Sequence, residues 1–425
     1  MGAITIHSID DALNGWLIRE SRRHKTDIGT VPVSVWVLPK DIDSRHAGLM
    51  ENLFFDNPLV PMELRARREP RHDEDRDLRG PYFRDTTAII HSSPFRRMKH
   101  KTQVFFAPKN DHICTRIEHV MHVSTIAATI CRALNLDSDL AWAIGMGHDL
   151  GHTPFGHLGE TILAKLRGTA GFRHEMYSLH VVDHLTNHGK GLNLTYAVRD
   201  GIVNHCGEKF EQTLEPDFSI KNLTGITDRS EHPCTWEGTV VRMSDKIAYL
   251  GRDLEDALRL GVVQDHQIPH SAAAVLGRSN SDIIDTLVTD VIRTGNEIGK
   301  IGLSDEVYQA FLEMKEFNYL NIYRSKVLED MHPGFERVLT ILYEYLGELF
   351  ARHGFDGEAY DSETNDLARG FARYVATMND YYQSEPDPSA NVVFDFIAGM
   401  SDDYALDSLS EIMVPQSYTV GFAKR

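Results

Sequence analysis

A mostly α-helical protein is what this sequence predicts, and three observations carry that reading. Apolar residues recur at spacings of three and four from about residue 87 onward. Strand-like alternation is nearly absent after residue 40, and no repeat at a fixed period appears. Residues 1–60 mix short apolar stretches with polar linkers, and Val31 to Leu38 (VPVSVWVL) reads as a strand. Residues 63–86 hold seven Arg and seven acids, which predicts a solvated, salt-bridged arm. The first strong helix is Arg116 to Leu134, with Ile117, Val120, Met121, Val123, Ile126, Ala127 and Ile130 on its apolar side. Asp137-Ser138 can cap the next helix, which runs through LAWAIGM to Gly147. Helical periods follow at 157–167, 175–187, 238–260, 281–300, 305–330 and 334–352. Weak boundaries near 85 and 270 divide the chain into an N-terminal arm (1–85), a core (86–270) and a C-terminal helical region packed on it (271–425).

Composition narrows the class of function. With 425 residues, 42% hydrophobic and 25% charged, the chain can bury a large core, and disordered, collagenous or coiled-coil readings are excluded. A net charge of −18 argues against general affinity for nucleic acid or an anionic membrane. That does not exclude a local basic groove. Four cysteines without a C-x-x-C pair fit reduced thiols. No run of 18 apolar residues and no leader pattern appears, so the expectation is a soluble, cytoplasmic protein. Histidine is the anomaly. Of 22 histidines, eleven fall between residues 112 and 205.

Four residues within and beyond that cluster can carry chemistry: His119, the pair His148-Asp149, and Asp245 in VRMSDKIAYL. Neutral imidazole and carboxylate together suit borderline or hard divalent metals. Two of the ligands are neighbours at a helix end and the others sit on separate helices, so only a helical bundle could close the site. Each piece alone is a weak signal. The segment HDLGHTPFGHLGE (148–160) adds His152, His157 and Glu160. His157 and Glu160 share a face if the segment after Phe155 is helical, so the carboxylate could orient the imidazole for proton transfer or to position a water. The plain alternative is a Gly/Pro loop before a helix, although such loops seldom carry three histidines and an acid. Asp245, Tyr249 and Asp253 form one helical stripe, whose bland reading is a solvated acidic face. Residues 94–116 carry six Lys or Arg against one acid, as a polyphosphate site would need and as a basic surface turn would also show.

RDLRGPYFRDTTAIIHSSPFRRMKHKTQVF, TRIEHVMHV, GHDLGHTPFGHLGE, FRHEMYSLHVV, GLNLTYAVRDGIVNH and SDKIAYLGRDLEDAL together resemble the HD-domain superfamily. More narrowly they resemble the bacterial deoxyguanosinetriphosphate triphosphohydrolase-like enzymes, over roughly residues 72–350. The resemblance implies an all-α HD-domain helical bundle that cuts dNTPs into deoxynucleoside and tripolyphosphate. It implies His119, His148, Asp149 and Asp245 as ligands of a divalent ion (Mn, Mg, Fe, Co, Ni or Zn). His157 with Glu160 matches the pair that positions water or shuttles a proton, and His152 and His174 match further active-site histidines. Arg116 and Lys246 match phosphate-binding positions. Gln103 and Val104 match the residues that meet the sugar, with Tyr249 and Asp253 as its floor and 3′-hydroxyl partner, a geometry that would crowd out a ribose 2′-hydroxyl. A homo-oligomer and a nucleotide effector are further implied partners. Two departures stand out: relatives usually read H-S-L-E-V where this chain has His119-Val120-Met121-His122-Val123, and commonly have Asn where this chain has Glu175. Both spare the implied ligands but leave base preference and effector use open. Residues 1–60 and 355–425 match no motif.

Overall fold

In the computed structural model the bundle is assembled around one apolar helix. The structure describes residues 55, 58–71, 77–106, 110–169, 171–207, 211–227, 229–385 and 388–414, together with the backbone path of 18–26 and 29–37. Residues 54–425 form one compact unit. In the separate unit 1–53, β1 (Ile18–Thr26) and β2 (Gly29–Val37) pair as an antiparallel hairpin, with Ile18 opposite Val37. The expected strand is thus present, shifted to begin at Gly29.

The compact unit begins with the short helix α1 (Pro61–Leu64), then α2 (Pro81–His91) and α3 (Ser93–Arg97). Expected as a solvated arm, this region is partly inside. Arg67 pairs with Asp85 at 2.5 Å with both side chains buried, and Asp85 also accepts from the Thr195 N–H at 2.8 Å. Charge balance allowed this, because each buried ion has a hydrogen-bonded partner.

The bundle proper comprises α4 (Arg116–Ala133), α5 (Ser138–Gly147), α6 (Gly156–Arg167), α7 (His174–Asp183), α8 (Tyr196–Val203) and α9 (Trp236–Arg259). A capping box, in which Glu118 accepts from the Thr115 N–H at 2.8 Å, starts α4. Asp137 caps α5 by accepting from Asp139 N (2.9 Å) and Leu140 N (3.2 Å). α5 is largely apolar and is surrounded by α2, α4, α8 and α9, so that beyond its first turn it is mostly buried. Gly145 permits a close approach of α4, since a Cβ there would lie 2.5 Å from Ser124 Oγ.

The rest is helical too: α10 (His270–Leu276), α11 (Asn280–Ile298), α12 (Asp305–Asn318), α13 (Lys326–His353), α14 (Asp366–Thr377), α15 (Asn379–Gln383), α16 (Pro388–Ala398) and α17 (Asp402–Met413). A two-residue ladder pairs Thr213–Leu214 with Ile301–Gly302. The continuous helix expected over 305–330 is broken by a π-turn at Tyr319–Tyr323, after which a new helix starts at Lys326. That interruption lets Tyr323 donate its hydroxyl to Asp253 on α9. The fold is all-α, as expected. Among the described residues no helix is long and apolar enough to cross a membrane.

Candidate metal centre and its histidine cluster

His119 projects from the first turn of α4, His148 and Asp149 leave the C-terminal end of α5, and Asp245 lies midway along α9. These residues meet. His119 Nε2 is 3.0 Å from Asp245 Oδ1 and 3.7 Å from Asp149 Oδ2, while His148 Nε2 is 3.4 Å from Asp149 Oδ1 and 3.9 Å from Asp245 Oδ1. His148 Nδ1 is bonded to the Gly145 carbonyl at 2.7 Å, which fixes the ring with Nε2 facing the carboxylates. That Nε2 is buried and makes no hydrogen bond. Burial lowers the His148 pKa and keeps the imidazole neutral, the form a metal requires. His119 is also buried, but the hydrogen bond and charge of Asp245 outweigh desolvation and raise its pKa. Asp149, despite its burial, is held well below the usual carboxylate range by His148, His152 and Arg116. An orphaned imidazole nitrogen facing two ionised carboxylates fits a divalent cation.

Asp149 also faces a second group of side chains. Its Oδ1 is 3.0 Å from His152 Nε2, and the other His152 nitrogen contacts Glu160 Oε1. Glu160 Oε2 accepts from His157 Nδ1 at 3.1 Å and lies 3.6 Å from His174 Nδ1. The His157–Glu160 spacing works because α6 starts at Gly156. The chain is turned into that helix by Phe155 at φ 63°, a left-handed conformation costing roughly 1–3 kcal/mol in a non-glycine residue. Phe155 is held there by stacking on Phe335 (centroids 4.2 Å apart) and by its N–H to Asp402 Oδ1 at 2.9 Å. Gly151 admits α7: a Cβ would sit 2.2 Å from the Ser178 nitrogen. His152 and His174 consequently stack at 3.9 Å. Glu160, though desolvated, is pulled well below its ordinary pKa by His152, His157 and His174, while His174 is raised well above its own against desolvation by Cys206 and Glu160. His157 is the exposed member, with 72% of its side chain accessible.

The remaining expected residues line the same region in different states. Arg116 is buried, pairs with Asp149 Oδ2 at 2.7 Å and donates to the Thr102 and Gln103 carbonyls at 3.2 Å each. Gln103 Oε1 is buried without a hydrogen bond, and Val104 is half-buried beside it in the chain. Tyr249 is half-buried; its pKa is raised by burial and then by Asp245. Asp253 is pushed up to about 6 by burial and accepts from Tyr323. Lys246 is buried and pushed down to about 8 by desolvation and then by Arg242. At the two departures, His122 approaches Arg252 (3.4 Å), and Glu175 is buried in ion pairs with Arg173 (2.8 Å) and Arg229 (3.0 Å).

Several neighbours were not singled out from sequence. His205 stands at the end of α8 with Nδ1 on the Ile202 carbonyl (2.7 Å), the posture of His148 on Gly145, and Cys206 follows it. A shared pattern could have revealed it: both histidines close an apolar helix ending in small or β-branched residues. Lys101 is buried, pushed down to about 7 by desolvation, and donates to the carbonyls of His152 and Ala398. Asp402 accepts from Thr102 N at 2.8 Å and from Phe155 N. The C-terminal segment without motifs therefore reaches both loops of the centre.

Comparison with known protein families agrees with this geometry. Residues 116–250 match the HD domain and residues 301–411 match the phosphohydrolase-associated domain. Fold and site define a metal-dependent phosphohydrolase whose cofactor is a divalent metal ion. A deoxyguanosinetriphosphate triphosphohydrolase-like protein of Caldanaerobacter subterraneus subsp. tengcongensis is 39% identical over 365 residues, covering 85% of this chain and 93% of the relative. One from Desulfatibacillum aliphaticivorans is 37% identical over 369 residues (85% and 96%), and one from Clostridium tetani is 34% identical over 345 residues (80% and 87%). The chain belongs to the deoxyguanosinetriphosphate triphosphohydrolase-like family of HD-domain proteins.

Proposed function

We propose that the protein hydrolyses deoxynucleoside triphosphates to deoxynucleoside and tripolyphosphate. The observation that carries the reading is Asp149, which faces His119 and His148 on one side and His152 of the Glu160 cluster on the other. A phosphate ester held at this carboxylate would sit between a cation site and a proton-handling group. The names of the relatives support the substrate class.

His119, His148, Asp149 and Asp245 would hold the ion, with manganese and magnesium the first candidates. Once bound, it would supply Lewis-acid stabilisation of phosphate charge. His157, held by Glu160, aligns the attacking water or takes its proton. His152 or His174 is placed to protonate the leaving 5′-oxygen. Arg116 and Lys246 offset charge on the departing tripolyphosphate, Arg116 while also fixing Asp149. The unsatisfied Gln103 amide oxygen can accept from a sugar hydroxyl, with Val104, Tyr249 and Asp253 as further residues for the sugar. Residues 86–270 supply this machinery, and 271–425 pack on it and brace its loops.

The test is to supply each dNTP singly with Mn²⁺ or Mg²⁺ and identify the phosphate released. Tripolyphosphate is expected. Pyrophosphate or orthophosphate as the primary product would overturn the proposal.

A further inference from the structure

The same centre holds a second set of donors that the proposed hydrolysis does not use as a set. Cys206 Sγ lies 3.2 Å from His174 Nε2 and 3.2 Å from His205 Nε2. His205 Nδ1 is held on the Ile202 carbonyl at 2.7 Å, and His174 Nδ1 faces Glu160 Oε2 at 3.6 Å, so both rings turn Nε2 toward the sulfur. The three donor atoms lie within 4.8 Å of one another, and Cys206 is only partly buried, so an ion could enter from solvent. Zinc bonded to nitrogen at about 2.0–2.1 Å and to sulfur at about 2.3 Å holds neighbouring tetrahedral donors about 3.5 Å apart. The observed spacings need only a few tenths of an ångström of opening.

We propose that His174, His205 and Cys206 form a second divalent-cation site, selective for zinc and similar thiophilic ions. The donor set decides the selectivity: one thiolate and two imidazoles favour zinc or cobalt and disfavour magnesium, whereas the His/Asp centre tolerates hard ions. Coordination breaks the S–H bond, forms a metal–sulfur bond and releases the proton to solvent. The two sites adjoin, since His205 Nε2 is 3.9 Å from Asp149 Oδ1 and the His205 and His148 rings are 4.7 Å apart. An ion here occupies the His174 nitrogen that otherwise faces the thiol. Filling the site therefore withdraws His174 from proton transfer, and zinc inhibits an enzyme already loaded with its first metal. That consequence rests on the proposed hydrolysis. The site itself rests on the donors alone.

The test uses the full chain with Co²⁺ as the probe, read by equilibrium dialysis with elemental analysis and by absorption. Two ions per wild-type chain are expected, with a thiolate-to-cobalt charge-transfer band in the near ultraviolet. Cys206→Ser should hold one ion and lose the band, while His148→Ala should keep the band. One ion per wild-type chain with no such band would overturn the proposal, and this readout stands even if Cys206→Ser fails to fold. In Mn²⁺-loaded protein, zinc should inhibit wild type at least tenfold more strongly than Cys206→Ser; equal inhibition would remove the regulatory consequence. Tripolyphosphate release is measured separately, so failure of the second site and failure of the hydrolytic reading are distinguishable.

Discussion

The two halves of the histidine-rich centre use the same residue types and leave them in different states. Around His148, two carboxylates face an imidazole nitrogen that has no hydrogen bond. Around Glu160, one carboxylate is shared among His152, His157 and His174, and its charge is compensated within the protein. The first half retains bonding capacity that a cation can take up. The second gathers three imidazoles on one carboxylate, which suits it to moving protons. Loop placement produces the difference: Gly151 brings α7 against the His148-Asp149 corner and so delivers His174 to Glu160.

The sharpest way to break the comparison is to empty the first half. His148→Ala or Asp149→Ala should lower turnover at least about 1000-fold and abolish tight binding of the first ion, as measured by metal analysis beside activity. Retained activity in either variant would remove the metal assignment.

A buried glutamate without imidazoles serves as the contrast to Glu160. Glu237 accepts from the Asp137 N–H at 3.0 Å, and burial pushes its pKa up from 4.5 to about 7. A raised carboxyl favours folding while protonated, so that stability is present below pH 4.5 and lost as pH rises through about 7. Against Glu237→Gln, the wild type should lose roughly 3 kcal/mol over that interval. Urea midpoints at pH 4.5 and 8 would measure it; parallel profiles for the two proteins would contradict it.

Glu160→Gln tests the second half directly. Turnover should fall roughly 100-fold with the first ion still bound, because the general acid–base function is lost and the ligands are untouched. If the ion departs as well, the halves are not separable. Asp402→Asn should have the smallest effect. It weakens charged hydrogen bonds that join the Thr102 loop to the Phe155 corner, so KM should rise roughly tenfold with kcat nearly unchanged. A fall in kcat alone would place Asp402 with the proton-handling group instead.

How much of the centre was legible follows from where its residues lie in the chain. His157 and Glu160 are three apart, and helical geometry alone puts them on one face. His119 and Asp245 occupy helix positions readable from periodicity, His148 and Asp149 follow directly on a helix end, and the motif around them supplied their common purpose. Tyr323 was hidden because the periodic pattern of 305–330 runs straight through the π-turn that aims it at Asp253. Lys101 and Asp402 were hidden for another reason. Lys101 reads as one cation in a basic run and Asp402 as one acid in a segment with 13 acids and four bases, and nothing local shows that either is buried.

By itself, the sequence determined the helical class, most helix positions and the ligand types, because capping and apolar period are local properties. Tertiary structure decided which polar groups gave up water and with what partners: Arg67 with Asp85, Asp402 with the Thr102 loop, and Cys206 between two imidazoles. Those choices depend on distances between segments up to 300 residues apart, and they follow from packing all the helices at once.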